Sequence, residues 1–198
     1  MNYIEKMLQD CCPNGVEWKE LGEVCDTITS PIKLKRDKYK DDGSVAIIDQ
    51  GEQFIAGYTD VEQYLPEDEY VVFGDHSEHI KYVDFPFVQG ADGLKILKAK
   101  NEIIPKYMYY CFCNFYNKEG SYKRHWSNAK VVLIPIPPLK IQQEIVKILD
   151  KFTDYVTELT AELTAELTAE LTLRQKQYTY FRDYLLNFDQ DSSGGGEQ

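Results

Sequence analysis

The sequence predicts an α+β protein. A globular mixed α/β domain over residues 1–138 is followed by one long α-helix over residues 139–188 and a disordered tail over 189–198. Three observations predict this. Between residues 43 and 98, short β-branched and aromatic runs alternate with Gly, Asp and Pro, the texture of strands and turns. From Leu139 to Phe188 there is neither Gly nor Pro, and good helix formers dominate. The pair Pro137-Pro138 marks the change, because a helix start loses nothing by a missing N–H.

The elements follow in order. Residues 1–12 form a short helix stopped by Pro13-Asn14-Gly15. In VEWKELGEVCDTI (16–28), Trp18, Leu21 and Val24 at helical spacing predict one or two turns leading into a strand. VAII (45–48), QFIAGYT (53–59), YVVFG (70–74), IKYVDFPFV (80–88) and GLKILK (93–98) read as strands. The segment 101–117 reads as a helix after Pro105, packed on the sheet by its aromatics, and 127–136 as a last strand. In the long helix, Ile141, Ile145, Ile148, Phe152, Tyr155, Val156 and Leu159 recur at spacings of three and four, an apolar stripe. About fifty helical residues span about 75 Å, too long for a domain of this size to cover, so the helix requires a partner.

Thr160–Leu163, Thr164–Leu167 and Thr168–Leu171 are three perfect copies of Thr-Ala-Glu-Leu, preceded by a worn fourth at 157–159. Four residues advance a helix by about 400°, so each leucine sits about 40° round from the last and about 6 Å further along. Leu159, Leu163, Leu167 and Leu171 therefore form a slowly winding ridge, with the alanines opposite. A copy can be gained or lost without breaking the helix, as befits a spacer between two bodies.

Composition narrows the function. With 43% hydrophobic residues and 15 tyrosines, the chain folds. It has no apolar run of the roughly 20 residues a membrane span requires, and the start MNYIEKMLQD lacks a signal peptide's apolar core. The cysteines at 11, 12, 25, 111 and 113 have no zinc spacing and read as reduced, which predicts a cytoplasmic protein. A net charge of −11 argues against an isolated, non-specific DNA binder. Charge is uneven, however: Lys33, Lys35, Arg36, Lys38 and Lys40 against Asp37 make one basic segment, and Lys123-Arg124-His125 a second. Asp75-His76 is more often a turn cap than an acid–base pair. No GxSxG, HExxH, phosphate-binding glycine loop or Asn-Pro-Pro-Tyr-type site is present, so no catalysis and no metal are expected.

IPIPPLKIQQEIVKILDKF, the Thr-Ala-Glu-Leu repeats and LRQKQYTYFRDYLLNF together resemble the specificity subunit of type I restriction-modification enzymes. GVEWKELGEV (15–24), 70–97 and SYKRHWSNAKVVLIPIPPL (121–139) are similar to further family segments, so the resemblance covers about residues 13–188. It implies a target-recognition domain followed by a helical region, with the repeat as a variable spacer. The family's usual subunit holds two of each, so the resemblance here is to a half-subunit. That implies a homodimer with antiparallel long helices, an isologous arrangement, reading a bipartite inverted repeat in double-stranded DNA.

The implied partners are modification (methyltransferase) subunits and restriction (motor-nuclease) subunits. No cofactor is expected on this chain; S-adenosylmethionine belongs to the partner methyltransferase. Lys33, Lys35, Arg36 and Lys38 are expected on phosphates. Asp75, His76, Ser77, Lys123, Arg124 and His125 are the candidates for base contact. Ile145, Phe152, Val156, Leu159, Leu163, Leu167, Leu171, Tyr178, Phe181 and Leu185 are expected at the dimer or partner interface. The alternative is a coiled-coil protein that binds modification subunits without reading DNA.

Overall fold

A computed structural model describes residues 3–91 and 93–187. In chain order the helices are α1 (Tyr3–Cys11), α2 (Leu21–Val24), α3 (Pro105–Phe115), α4 (Trp126–Ala129) and α5 (Leu139–Leu186). The strands are β1 (Glu17–Glu20), β2 (Cys25–Ile28), β3 (Lys33–Leu34), β4 (Val45–Ile48), β5 (Gly57–Thr59), β6 (Tyr70–Gly74), β7 (Ile80–Val83), β8 (Phe87–Gly90), β9 (Leu94–Ala99) and β10 (Leu133–Ile136). Contacts divide the chain into two compact units, residues 1–148 and 149–198. The expected disordered tail, 189–198, lies outside the described residues.

The first unit is built on two four-stranded sheets, ordered β2-β9-β6-β7 and β3-β8-β4-β5, with β1 and β10 forming a separate antiparallel pair. The first sheet is antiparallel throughout; in the second, β8 runs parallel to both β3 and β4. The YVVFG strand shows why its sequence is apolar without alternation. Val71 and Phe73 face one core with Leu97, Tyr107, Met108 and Phe112, whereas Tyr70 and Val72 face a second with Ile48, Phe87 and Ile96. A strand buried on both faces must be apolar at every position.

Four expected elements are corrected. A strand, β1, precedes the helical turn at 21–24, because Trp18 pairs with Pro135 across 117 residues of chain. The run 53–59 is extended only from Gly57, since the Lys81 ammonium reaches back to the carbonyls of Asp49 (2.8 Å) and Gln53 (2.6 Å) and fixes a loop there. The run 80–88 is two strands in different sheets, broken before Pro86, which has no N–H to give to a ladder. The expected strand at 127–136 begins at Leu133; residues 126–129 make a helical turn whose Trp126 N–H donates to the Asp75 carboxylate at 2.8 Å.

Helix α5 is continuous for 48 residues, about 72 Å. Its first turns belong to the domain core: Ile141 and Gln142 are fully buried, and Ile145 and Val146 pack on the cluster around Phe73 and Phe112. Ile145, expected at the dimer or partner interface, is half-buried and packs with one side on this domain cluster. Gln142 accepts from the Ile104 N–H (2.8 Å) and donates to the carbonyls of Glu102 (3.0 Å) and Pro137 (2.8 Å). Replacing it by leucine leaves three backbone groups without that partner. Gln142→Leu is expected to cost about 2–4 kcal/mol, read as a lower urea midpoint of the full chain.

Every described residue from 151 to 187 is exposed. Thr153, Thr157, Thr168 and Thr172 donate their hydroxyls to the carbonyls four residues back at 2.7–2.9 Å, so these threonines are satisfied within the helix. No helix of the described residues is long and apolar enough to cross a membrane.

Candidate nucleic-acid interface

One edge of the first unit gathers the turns that leave β4, β6 and β8, together with the loop between α3 and α4. Strand β3 lies beside the end of β8, Lys33 opposite Gln89 and Leu34 opposite Gly90. It leads into a single 3-10 turn, Arg36–Lys38. Tyr39 then closes the segment onto its neighbour: its hydroxyl accepts the Ala91 N–H at 3.1 Å. A Cβ on Gly90 would stand 2.1 Å from that hydroxyl and 2.7 Å from the Asp49 Cβ, so only glycine allows the approach. Gly93, at φ +93°, sits against Gln50 and His76, and the His76 N–H donates to Gln50 Oε1 at 3.3 Å. His76 Nδ1 in turn lies 3.1 Å from the Lys123 carbonyl. The two basic segments, 90 residues apart in sequence at Lys33 and Lys123, are thereby tied into one rim.

Lys33, Lys35, Arg36, Lys38, Lys123 and Arg124 are exposed on this rim. Lys40, the fifth cation of the first segment, is drawn away by Asp60 at 2.7 Å, which holds the Asp60 carboxyl below the usual carboxylate range. Lys123 is also ion-paired with Glu119. His76 and Ser77 are half-buried; the Ser77 hydroxyl donates to the Gln50 carbonyl, which makes it a brace of the turn.

Two of the expected base-contact residues are corrected. Asp75 is 5% exposed, and its carboxylate is occupied by the Trp126 N–H. His125 is 0% exposed, with Nε2 2.6 Å from the Ser121 carbonyl and Nδ1 3.3 Å from Glu78 Oε1. Both hold loops that bear the rim, and neither faces solvent.

Beneath the α3–α4 loop lies Glu78, a residue with no sequence signal. It is 2% exposed and sits in the left-handed region at φ +59°, a conformation that asparagine or glycine adopts more readily. Its carboxylate accepts from the Tyr116 hydroxyl (2.6 Å) and from the N–H groups of Glu119 and Gly120 (both 2.8 Å). Burial alone would raise its pKa, but these three hydrogen bonds and nearby His125 outweigh burial and hold it below the usual glutamate range. Burial and the same carboxylate push the Tyr116 hydroxyl up, so it stays protonated and donates.

A carboxyl with a depressed folded pKa contributes stability above its unfolded value, and that contribution is lost as pH falls through the folded value. Glu78→Gln is therefore expected to lower stability at pH 7 and to flatten the loss of stability below the ordinary glutamate range. Urea midpoints measured across that range for both proteins check this.

The family model "Type I restriction modification DNA specificity domain" matches residues 13–169. The specificity subunit of the type I restriction enzymes EcoR124I and EcoR124II of Escherichia coli is 37% identical over 205 residues, covering 95% of this chain and 48% of its own. A putative type I restriction enzyme specificity subunit of Haemophilus influenzae is 35% identical over 198 residues, covering 95% of this chain and 50% of its own. Among solved structures, a type I restriction-modification S subunit from M. genitalium superposes with a TM-score of 0.57 at 19% identity, over 81% of this chain and 44% of that one. The chain spans about half the length of these curated relatives. With the family model matching most of the chain and these relatives more than 30% identical, the chain belongs to the type I restriction-modification DNA specificity family.

Proposed function

We propose that this chain is a non-catalytic DNA specificity subunit that works as a homodimer. Two copies pair their long helices antiparallel, and each contributes one recognition domain, so the pair reads a bipartite inverted repeat. Modification subunits, carrying S-adenosylmethionine, and restriction subunits bind this dimer and act on the DNA it selects. The chain's own residues position the DNA: Lys33, Lys35, Arg36 and Lys38, with Arg124, neutralise phosphates.

The observation that carries the proposal is the apolar face of α5. Phe152, Val156, Leu159, Leu163, Leu167, Leu171, Tyr178, Phe181 and Leu185 are all exposed. At about 100° per residue these nine fall within about 120° of one another around the helix. Tyr155, Leu173, Tyr180 and Tyr184 flank them on one side. A one-sided apolar stripe of this length exceeds what a monomeric protein leaves in water, and an identical stripe on a second copy covers it by twofold symmetry. The acidic balance fits a subunit whose partners complete the positive clamp on DNA.

Sequencing of methylated adenine in DNA from cells expressing the modification subunits, with and without this chain, tests the reading. The expected result is a split, symmetric motif methylated only when the chain is present. Methylation independent of the chain overturns it, and would leave a protein that occupies modification subunits without reading DNA.

A further inference from the structure

Tyr122 is 91% exposed, more than any other large apolar side chain among the described residues. A single exposed aromatic is ordinary; the ground beneath this one is not. Its loop is fixed from below by a buried carboxylate and a buried imidazole, Glu78 holding Glu119 and Gly120, and His125 holding Ser121. Gly120, at φ +68°, makes the bend. From above, the Tyr122 ring stacks on His76 with centroids 5.3 Å apart and planes 21° from parallel. Burying a carboxylate is costly unless its hydrogen bonds are made. Here that cost goes into holding rigid a tip whose side chains are Tyr122, Lys123 and Arg124. Rigid aromatic anchors lose little entropy on binding.

The chemistry of His76 is fixed by its neighbour. The Lys123 carbonyl has no proton to give, so the contact at 3.1 Å places the hydrogen on Nδ1. In the neutral ring Nε2 is then an acceptor. In the major groove only cytosine and adenine offer an amino donor, while guanine and thymine offer acceptors at the corresponding positions.

We propose that the stacked Tyr122–His76 pair is a specificity-determining contact of the recognition domain, with His76 Nε2 accepting from the exocyclic amino group of a cytosine or adenine and Tyr122 holding the imidazole plane. The proposal rests on the DNA-reading function above and names one point at which the reading occurs. It differs from the basic rim in kind, since lysines on phosphates carry no sequence information.

The test uses the full chain assembled with its modification subunits, methylating a DNA library randomised across the half-site. His76→Ala and Tyr122→Ala are expected to relax preference at the same base pair by on the order of tenfold, the range of a single mismatched contact. Other positions and the gap should stay as in the parent, and Tyr122→Phe should retain the preference because it keeps the ring. Tyr122→Ala removes an exposed side chain, so the fold does not depend on it. An unchanged motif in both alanine variants, relaxation at unrelated positions, or an even loss across all positions each overturns the proposal. If the parent chain directs no motif at all, the DNA-reading function itself falls, and the pair's role with it.

Discussion

Replacing Leu163 and Leu167 together with glutamate is expected to turn a dimer into a monomer and to abolish site-directed methylation. Both leucines are exposed in the single chain and lie near the middle of the apolar face. In a twofold pair the double substitution removes four leucines from the interface, each worth about 1.5–3 kcal/mol when buried. It also places four carboxylates where they must be desolvated or the interface must open. The combined effect is expected to weaken association by at least about 1000-fold, roughly 4 kcal/mol. Glutamate is a good helix former, so α5 itself should persist, and circular dichroism should show unchanged helicity. Light scattering decides the matter: the parent chain should weigh twice 23.0 kDa and the variant 23.0 kDa. A variant that remains a dimer at micromolar concentration would place the interface elsewhere.

Deleting Thr164–Leu167 has a different expected outcome, a changed gap between intact half-sites. Loss of one repeat shortens the helix by about 6 Å and turns everything beyond it by about 40°. On DNA, with one base-pair step per about 3.4 Å, that corresponds to one or two base pairs. The stripe survives the deletion. Leu171, Tyr178, Phe181 and Leu185 each turn by about 40° towards the direction of Leu159, so the nine-residue face, less Leu167, narrows instead of splitting. An inserted copy turns them the other way and widens the face to about 160°. Deletion should therefore preserve dimerisation better than insertion, and light scattering of the two variants tests that asymmetry. Methylated-base sequencing reads the gap. Altered half-site sequences with an unchanged gap would remove the spacer role from the repeat.

The first unit was less legible than the helix, for reasons particular residues make clear. Strand positions such as Val71, Val72, Ile96 and Leu97 were readable because apolar β-branched and aliphatic runs have few other fates. The assignment of β7 and β8 to different sheets was not, since Pro86 announces a break but not where the chain resumes pairing. His125 stood beside Lys123 and Arg124 in a basic run, and adjacency made it look like a reader. Its burial is decided by Glu78, 47 residues away in sequence, whose left-handed backbone leaves no trace in composition. Asp75 was recognisable as a turn residue, but that its carboxylate serves Trp126 depends on a loop that folds over it from 51 residues on. Tyr122 lay in a segment already singled out, next to two cations; what marks it is the stack on His76, a tertiary fact.

The long helix, its start after Pro137-Pro138 and the one-sided apolar face with its repeating unit are written in the amino acids themselves, because helical periodicity is a local property that side chains three and four apart set directly. Which polar residues of the domain face outward depends instead on long-range packing. That outcome is set by partners dozens of residues distant, whose hydrogen bonds must be satisfied before any side chain is free to face solvent.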